Sequence, residues 1–184
     1  MRKSISAILC LLLILSTAFS LAGCKSRADE MADQEIYTEK QMNEMKNKVI
    51  KCINKQDKEG LKKLFSKDAQ KHIEDLDSKL DQFINTFNGN KIESKKGRDP
   101  NFEGSAQAQP LHIFGKYHLK LSNGDKYILF INTCDIDEDN KDREGIYQLV
   151  ILTFSSEEVP EDFRMEGTNN DYGIFIYSKD GTLL

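Results

Sequence analysis

The chain has 184 residues and a formal net charge of -4. This length suits a single domain that buries enough apolar surface to form its own core. The acidic balance argues against nucleic acid or anionic lipid as a partner, although a mild acidic excess also serves solubility.

The beginning of the chain predicts an export signal. A basic start precedes an apolar run at residues 8–15, which is much shorter than the roughly 20 residues that span a bilayer. The sequence Leu-Ala-Gly-Cys then ends at Cys24 and has the small residues of a lipoprotein cleavage site. We predict that residues 1–23 are a signal peptide and that the Cys24 thiol receives a diacylglyceryl group, whose acyl chains anchor the chain in the lipid bilayer, on the outer side of the cell membrane.

Cleavage before Cys24 leaves 161 residues and removes Arg2 and Lys3, which moves the formal charge from -4 to -6. Residues 24–36 are polar and show no hydrophobic period, so we predict a flexible tether there. We predict a single domain over residues 37–184. No later segment of the sequence is apolar enough to span a membrane.

Three helices are predicted at the start of this domain. A capping-box pattern at Thr38 predicts a first helix over residues 38–54, and Asp57 is a suitable cap for a short second helix. Apolar residues then recur every three or four positions from residue 69 to residue 87. That spacing predicts one long helix, which ends at the Asn-Gly pair that follows.

After residue 89 the hydrophobic period becomes alternating, which predicts strands. Residues 91–97 form a weak polar strand in this interpretation, and residues 98–109 form a loop. Alternation resumes at residue 111, and the Asn-Gly pair at 123–124 predicts a hairpin with a type I′ turn.

The second arm of that hairpin is predicted at residues 127–136, and further strands at 146–154 and 172–177. Helices followed by an antiparallel meander define an α+β fold. The strands at 127–136 and 146–154 are apolar on both faces, so a strip on the outer face of the sheet needs cover. Its expected members are Ile128, Phe130, Val150 and Leu152, or their neighbours of opposite parity. Either a second copy of the chain or the segment 155–171 is expected to cover it.

Residues 54–69, NKQDKEGLKKLFSKDA, resemble the helix-turn-helix opening of domains similar to nuclear transport factor two, the cystatin-like cone. With the lipoprotein start, the chain resembles uncharacterised lipoproteins of low-GC Gram-positive bacteria that carry such domains of unknown function. The resemblance covers about residues 38–178. It implies helices packed on a strongly curved antiparallel sheet, a cavity that often holds a small ligand or an active site, and homodimers formed sheet against sheet.

One set of residues suits acid-base chemistry in such a cavity. Asp135 ends a predicted buried strand, and Tyr117, Tyr127 and Tyr147 lie on neighbouring strands. A carboxylate in an apolar pocket beside a phenol that stabilises an oxyanion is a known catalytic arrangement. Tyrosines on strands are also ordinary packing residues, so the set stays a hypothesis.

The acidic stretch at 135–142 resembles a calcium loop because its aspartates alternate. Position six is Asn140 instead of glycine and position twelve is Ile146 instead of glutamate, so the pattern fails twice. A solvated hairpin tip is the preferred interpretation, and weak calcium binding is the alternative. His112 and His118 lie roughly 20 Å apart along an extended strand, too far for one metal site, and we predict that they are surface residues. No metal or cofactor is predicted.

Cys52 and Cys134 are the cysteines that follow Cys24. Outside the cell membrane they can form a disulfide, but each also lies in an apolar pattern typical of a free buried thiol. Both interpretations remain open at this stage.

The preferred functional hypothesis is a non-enzymatic, surface-tethered module that binds a small molecule or a protein. The first alternative is an enzyme that uses Asp135 in the cone. The second is an envelope interaction protein that uses the outer face of the sheet. The sequence does not identify a ligand or a substrate.

Overall fold

The computed structural model describes residues 27–97, 100–105, 110–160, 163 and 172–184. The predicted signal peptide, Cys24 and part of the predicted loop 98–109 lie outside these residues. The chain divides into two units, residues 1–35 and 36–184, and the packing described below is that of the second unit. No helix among the described residues combines the length and the apolar character needed to cross a membrane.

Helix α1 spans Arg27–Lys55 and therefore begins well before the predicted start at residue 38. Residues 27–36, predicted to be an irregular tether, are helical. Alanine, glutamate, methionine and glutamine dominate this stretch and favour helix without any apolar stripe. Asp29 and Glu30 in the first turn also complement the helix dipole. Thr38 consequently lies inside the helix and is not its cap.

Helix α2, Lys58–Lys62, confirms the predicted second helix, and the Asp57 side chain accepts a hydrogen bond of 2.8 Å from the Gly60 amide. The single long third helix is wrong. The structure has α3 at Lys67–His72 and α4 at Leu76–Asn85. Between them the backbone is extended at Ile73 and left-handed at Asp75.

The apolar stripe from residue 69 to residue 87 correctly predicted which side chains are buried, even though the helix is broken. Its six members all lie in the core: Ala69, Ile73, Leu76, Leu80, Phe83 and Phe87. Ser66 caps α3 by accepting a hydrogen bond of 3.0 Å from the Ala69 amide. The two helices thus bury the two halves of one stripe separately, and the predicted left-handed stop at Asn88 and Gly89 is confirmed.

In the part of the chain that the structure describes, six strands form one mixed, mostly antiparallel sheet that is curled but not closed. The α+β class is therefore confirmed. Strand order is β1-β3-β4-β5-β6, with β2 also paired to β3. The strands are β1 Ile92–Gly97, β2 Asn101–Glu103, β3 Leu111–Leu121, β4 Lys126–Ile136, β5 Gly145–Leu152 and β6 Gly173–Tyr177.

Two details of the sheet differ from the prediction. Strand β6 pairs with β5 in parallel, because the connection between them is long enough to return to the starting end of the sheet. Strand β2 lies within the predicted loop 98–109 and pairs with β3. A short polar strand has little sequence signal, so its partner decides that it forms.

The β3-β4 hairpin is confirmed, but its turn is not type I′. Gly124 has a φ of +93°, whereas Asn123 has no positive φ. The Gly124 amide donates to the Leu121 carbonyl oxygen at 2.9 Å. The strands are instead connected by a three-residue loop that ends in a left-handed glycine, another common hairpin connection.

The main core lies between the helices and one face of the sheet. A second, smaller core lies on strands β4, β5 and β6 and contains Ile128, Val150, Leu152, Phe154 and Tyr177, with Phe130, Phe163 and Phe175 packed against it. The Phe163 ring lies 5.2 Å from the ring of Phe154 and 5.3 Å from that of Tyr177. The predicted outer strip is therefore buried in part by Phe163, a residue of the segment 155–171.

Candidate functional site

One end of the sheet gathers polar and aromatic side chains from strands, a helix and a loop. Strand β3 begins there, β4 ends there, and β5 and β6 begin there. A register shift after Leu111 and another after Asn132 interrupt the regular pairing near this end, and such bulges redirect side chains. We call the group the sheet-end cluster: His112, Asp137, Tyr147, Tyr172, Asp68, His72 and Arg143.

Aromatic contacts link four of these residues in a row. The ring of His112 meets that of Tyr147 edge-on at 5.5 Å between centroids, and Tyr147 meets Tyr172 at 6.5 Å. The ring of Tyr172 stacks on that of His72 at 5.0 Å, with an interplanar angle of 12°. These are preferred geometries for aromatic pairs, so the rings hold one another in place.

Ionic contacts continue the same cluster on its other side. The Tyr172 hydroxyl donates to Asp68 Oδ2 at 2.5 Å. The Arg143 Nε atom lies 4.0 Å from this oxygen, and its Nη1 atom lies 3.6 Å from Asp137 Oδ2. The guanidinium group is therefore placed between two carboxylates and joins them to the aromatic row.

Asp137 comes from the acidic stretch predicted to be a solvated hairpin tip, yet the residue is only 3% exposed. Its Oδ1 atom accepts a hydrogen bond of 2.9 Å from the Asn140 amide, and its own amide donates to Glu144 Oε1 at 3.1 Å. These bonds fold the loop over the aspartate, which is why it is buried. Among the described residues, no group of three or more His, Cys, Asp or Glu side chains is arranged to hold a metal ion.

Three buried polar atoms of the cluster have no hydrogen-bond partner among the groups that the structure describes: His112 Nδ1, Asp137 Oδ2 and Tyr147 Oη. The Arg143 contact to Asp137 Oδ2 is longer than a hydrogen bond. Leaving a buried donor or acceptor unpaired costs about 1–3 kcal/mol, and native proteins contain few such groups. Here three such atoms lie in one connected cluster, which makes it the candidate functional site.

Burial sets the protonation of the cluster. It lowers the pKa of His112, against the smaller opposing effects of Glu103 and Asp137, so the imidazole is neutral at pH 7. Burial is also the largest cause of the raised pKa of Tyr147, and it raises the pKa of Tyr172 to about 12 together with the hydrogen bond to Asp68. At neutral pH the phenols of Tyr147 and Tyr172 are thus protonated, and the neutral His112 imidazole has one donor and one acceptor.

Cys134 lies close enough to the cluster for the charges of Asp137 and Glu144 to affect it. Burial, followed by these carboxylates, raises the pKa of its thiol to about 11. The thiol therefore stays protonated at pH 7 and is a poor nucleophile. Cys52 and Cys134 are both free and buried, which answers the open question of a disulfide between them.

The structure does not bring together the four predicted cavity residues. Tyr147 lies in the sheet-end cluster, whereas Asp135 accepts a hydrogen bond of 2.7 Å from the hydroxyl of Tyr37 on α1. The other two, Tyr117 and Tyr127, have separate surroundings.

The Lys46 ammonium group lies 5.1 Å from the centroid of the Tyr117 ring. The Tyr127 hydroxyl donates to the Thr86 carbonyl oxygen at 3.4 Å, and its ring packs against Phe87. Among the described residues, neither of them forms a hydrogen bond with Asp135. Strand parity places side chains on a face without deciding which helix packs there.

Sequence reasoning missed most of the cluster. His112 was predicted to be a surface residue but is half-buried against Tyr147. Asp137 was assigned to a solvated tip, and Tyr172 only to the start of a strand. Its partner Asp68 lies 104 positions away in the sequence, so no local pattern connects the two.

These observations define an α+β domain in which several helices pack on a curled, mostly antiparallel sheet and a polar-aromatic cluster lies at one sheet end. A family model described as "Domain of unknown function (DUF5104)" matches residues 48–155, more than half of the chain, and the chain belongs to this family. The matched segment includes His112, Asp137 and Tyr147. No curated protein matches the chain.

Proposed function

We propose that this protein is a lipid-anchored, extracytoplasmic module that binds a small polar molecule at the sheet-end cluster. The observation that carries the proposal is a set of three buried polar atoms, on His112, Asp137 and Tyr147, that have no hydrogen-bond partner among the described residues. A ligand that pairs with them would recover the free energy lost on burying them. A small number of convergent polar groups beside aromatic side chains is typical of small-molecule sites.

The chemistry of the cluster favours a particular kind of ligand. Asp137 Oδ2 accepts hydrogen bonds, the Tyr147 hydroxyl donates them, and neutral His112 does either. Arg143 already faces the Asp137 carboxylate. The ligand is therefore a small molecule rich in hydroxyl, amine or amide groups, with an apolar face to lie against the rings. The protonated thiol of Cys134 supports binding over covalent catalysis.

The anchoring part of the proposal depends on the sequence before the described residues. The basic start, the short apolar run and the small residues before Cys24 support diacylation and export. The order of helices followed by a curled sheet supports the resemblance to domains similar to nuclear transport factor two. The parallel β5-β6 pair is a departure from the fully antiparallel sheet that this resemblance implies.

The substitution Tyr147→Phe tests the cluster directly. It removes an unpaired buried hydroxyl, so we expect the ligand-free chain to become more stable by about 1 kcal/mol, measured by urea unfolding. Tyr127→Phe is the matched control, since that hydroxyl already has an acceptor, and it should give no gain. A loss of stability in Tyr147→Phe would show that the hydroxyl has a partner within the chain.

Binding is tested by thermal shift of the full chain against a panel of amino acids, mono- and disaccharides, nucleosides and polyamines. A compound at one hundred times its Kd stabilises the folded state by about 2.7 kcal/mol. We expect a hit whose shift is lost in Tyr147→Phe and in Asp137→Asn but kept in Tyr127→Phe. A shift that survives both cluster variants would place the site elsewhere.

A second candidate function is an enzyme that uses Asp135. The observation that favours it is the Tyr37 hydroxyl, which donates to this carboxylate at 2.7 Å. Burial is the largest cause of the raised pKa of Asp135, and the hydrogen bond from Tyr37 opposes it. A carboxyl group with a raised pKa beside a phenol is suited to acid-base catalysis.

The raised pKa predicts how Asp135 affects stability. The folded chain holds this proton more readily than the unfolded chain, so the stabilisation is present at low pH. It is lost as the pH rises from the ordinary value of 3.8 through the folded-state pKa. We therefore expect the stability of wild type relative to Asp135→Asn to fall with rising pH in this window, measured by urea unfolding. An increase would contradict the direction of the shift.

Envelope interaction through the outer face of the sheet remains a further hypothesis, as does a homodimer formed there. The second core, covered in part by Phe163, lowers the need for a second chain. The molecular mass of the full chain in solution, compared with that of Phe130→Lys, would test pairing through this face. The partly buried Phe130 lies at the border of that core.

A further inference from the structure

The outer face of the sheet also carries a groove, at the opposite end of β3 from His112. Near the β3-β4 hairpin this groove, of about 390 Å³, opens between strands β1, β3 and β4 and the segment after β5. This volume falls within the usual range for small-ligand sites. The groove is lined by Lys96, His118, Lys120 and Lys126, together with Ser94, Ser156 and Glu157.

The strand register places the basic residues opposite one another. Lys120 of β3 is the direct cross-strand partner of Lys126 of β4, and Lys96 of β1 is the partner of His118. Like charges directly opposite on one face of a sheet destabilise the strand pair. The chain thus keeps an unfavourable charge pair at its surface. An anion bound in the groove would offset this repulsion.

Among the described residues, one ion pair involves the three lysines of the groove. Lys126 forms an exposed ion pair with Glu157 at 3.3 Å. Within the part of the chain that the structure describes, Lys96 and Lys120 form no ion pair and no side-chain hydrogen bond. The positive patch therefore lies on a chain whose overall charge is -4.

The groove also supplies neutral donors. Ser94 and Ser156, whose side chains carry hydroxyl groups, line it beside the lysines. Ammonium groups combined with hydroxyl donors are the usual protein partners of phosphate oxygens, and lysine acts there as a point charge. We propose that this groove binds the phosphate groups of a small anionic molecule, independently of the sheet-end cluster.

The test is isothermal titration of the full chain with sodium pyrophosphate at low and at physiological salt. Binding should weaken as salt increases, since exposed charges are screened. Lys96→Gln and Lys120→Gln should each weaken binding about tenfold, the effect of losing one charged hydrogen bond. Glu157→Gln should tighten it, because Lys126 then loses its competing carboxylate.

Lys95→Gln is the matched control. Lys95 lies on the same strand as Lys96, but its ammonium group donates to Asn47 Oδ1 on α1 at 2.6 Å, outside the groove. This variant should bind pyrophosphate as wild type does. Lys120→Gln should melt no lower than wild type, since it removes a like-charge pair, so weaker binding by this variant cannot be assigned to unfolding.

Other outcomes would overturn the proposal. If the three lysine variants, Lys95→Gln included, weaken pyrophosphate binding equally, or if none of them does, the lysines of the groove have no specific role. Vesicles of phosphatidylglycerol, compared with phosphatidylcholine, distinguish a lipid headgroup from a soluble phosphate. Binding to the anionic vesicles that depends on Lys96 and Lys120, without any binding of pyrophosphate, would make the face a membrane contact and refute a small-molecule site.

Discussion

The substitution Gly145→Ala is expected to lower the free energy of unfolding by about 3 kcal/mol or more. Gly145 has a φ of +129°, a region that is almost closed to residues with a side chain. An added Cβ would lie 2.8 Å from the Ser66 amide nitrogen and 3.0 Å from the Leu64 carbonyl oxygen. Both are backbone atoms, so neither can move aside as a flexible side chain does.

The contacts around this glycine explain why the effect should spread. Just after it, the Ile146 amide donates to the Leu64 carbonyl oxygen at 2.9 Å, and the Ser66 amide donates to the Ile146 carbonyl oxygen at 2.9 Å. These bonds attach the start of β5 to the segment between α2 and α3. Moving the backbone to admit a Cβ would break them and displace Arg143 and Tyr147 on either side.

Gly124→Ala is the control for the conformational part of this cost. Gly124 also has a positive φ, +93°, but nothing lies within 4 Å of a Cβ built there. We expect a loss of about 1 kcal/mol, the usual penalty for alanine at a left-handed position. Urea unfolding of both variants measures the difference. Equal losses would show that the backbone around Gly145 adjusts, and that the close approach has no cost.

The substitution Cys24→Ser is expected to abolish incorporation of labelled fatty acid and to release the processed chain from the membrane fraction. The proposal of a lipid anchor requires this result, because serine cannot form the thioether that carries the acyl groups. Two acyl chains give stable attachment, whereas a single chain gives only weak, reversible binding. The expected change is therefore from almost complete attachment to almost none.

Cys10→Ser is the matched control for that experiment. Cys10 lies in the first apolar stretch, where a sulfur atom has no role in the predicted modification. This variant should be labelled and attached as wild type is. Label that persists in Cys24→Ser, or a Cys24→Ser chain that stays attached after processing, would refute the anchor.

Local patterns predicted the elements best where the nearest neighbours in sequence decide the structure. The Asp57 cap, the left-handed Asn88-Gly89 stop and the β3-β4 hairpin are examples. The stripe from Ala69 to Phe87 correctly predicted which side chains are buried, but it wrongly predicted one continuous helix. A hydrophobic period reports which side chains face the core and does not reveal a left-handed residue such as Asp75 within it.

The candidate site was much less accessible to sequence reasoning. Of the four proposed cavity residues, Tyr147 lies in the sheet-end cluster, and Asp135 is paired with Tyr37, which the sequence did not indicate. Asp68 and Tyr172 meet only after the α3 helix and the start of β6 have packed together. The sequence did not predict the basic groove for the same reason, because the pairing of Lys120 with Lys126 depends on strand register.

The sequence by itself determined the α+β class, the alternation that buries both faces of the central strands, and the predicted lipidation signal at Cys24. These follow from the order and period of residue types, which act over a few neighbouring positions. The tertiary structure alone decided the break before α4, the parallel β6 and the burial of the polar atoms of the sheet-end cluster. Each of these depends on which distant segments pack against one another, and packing energy outweighs local preference wherever the two conflict.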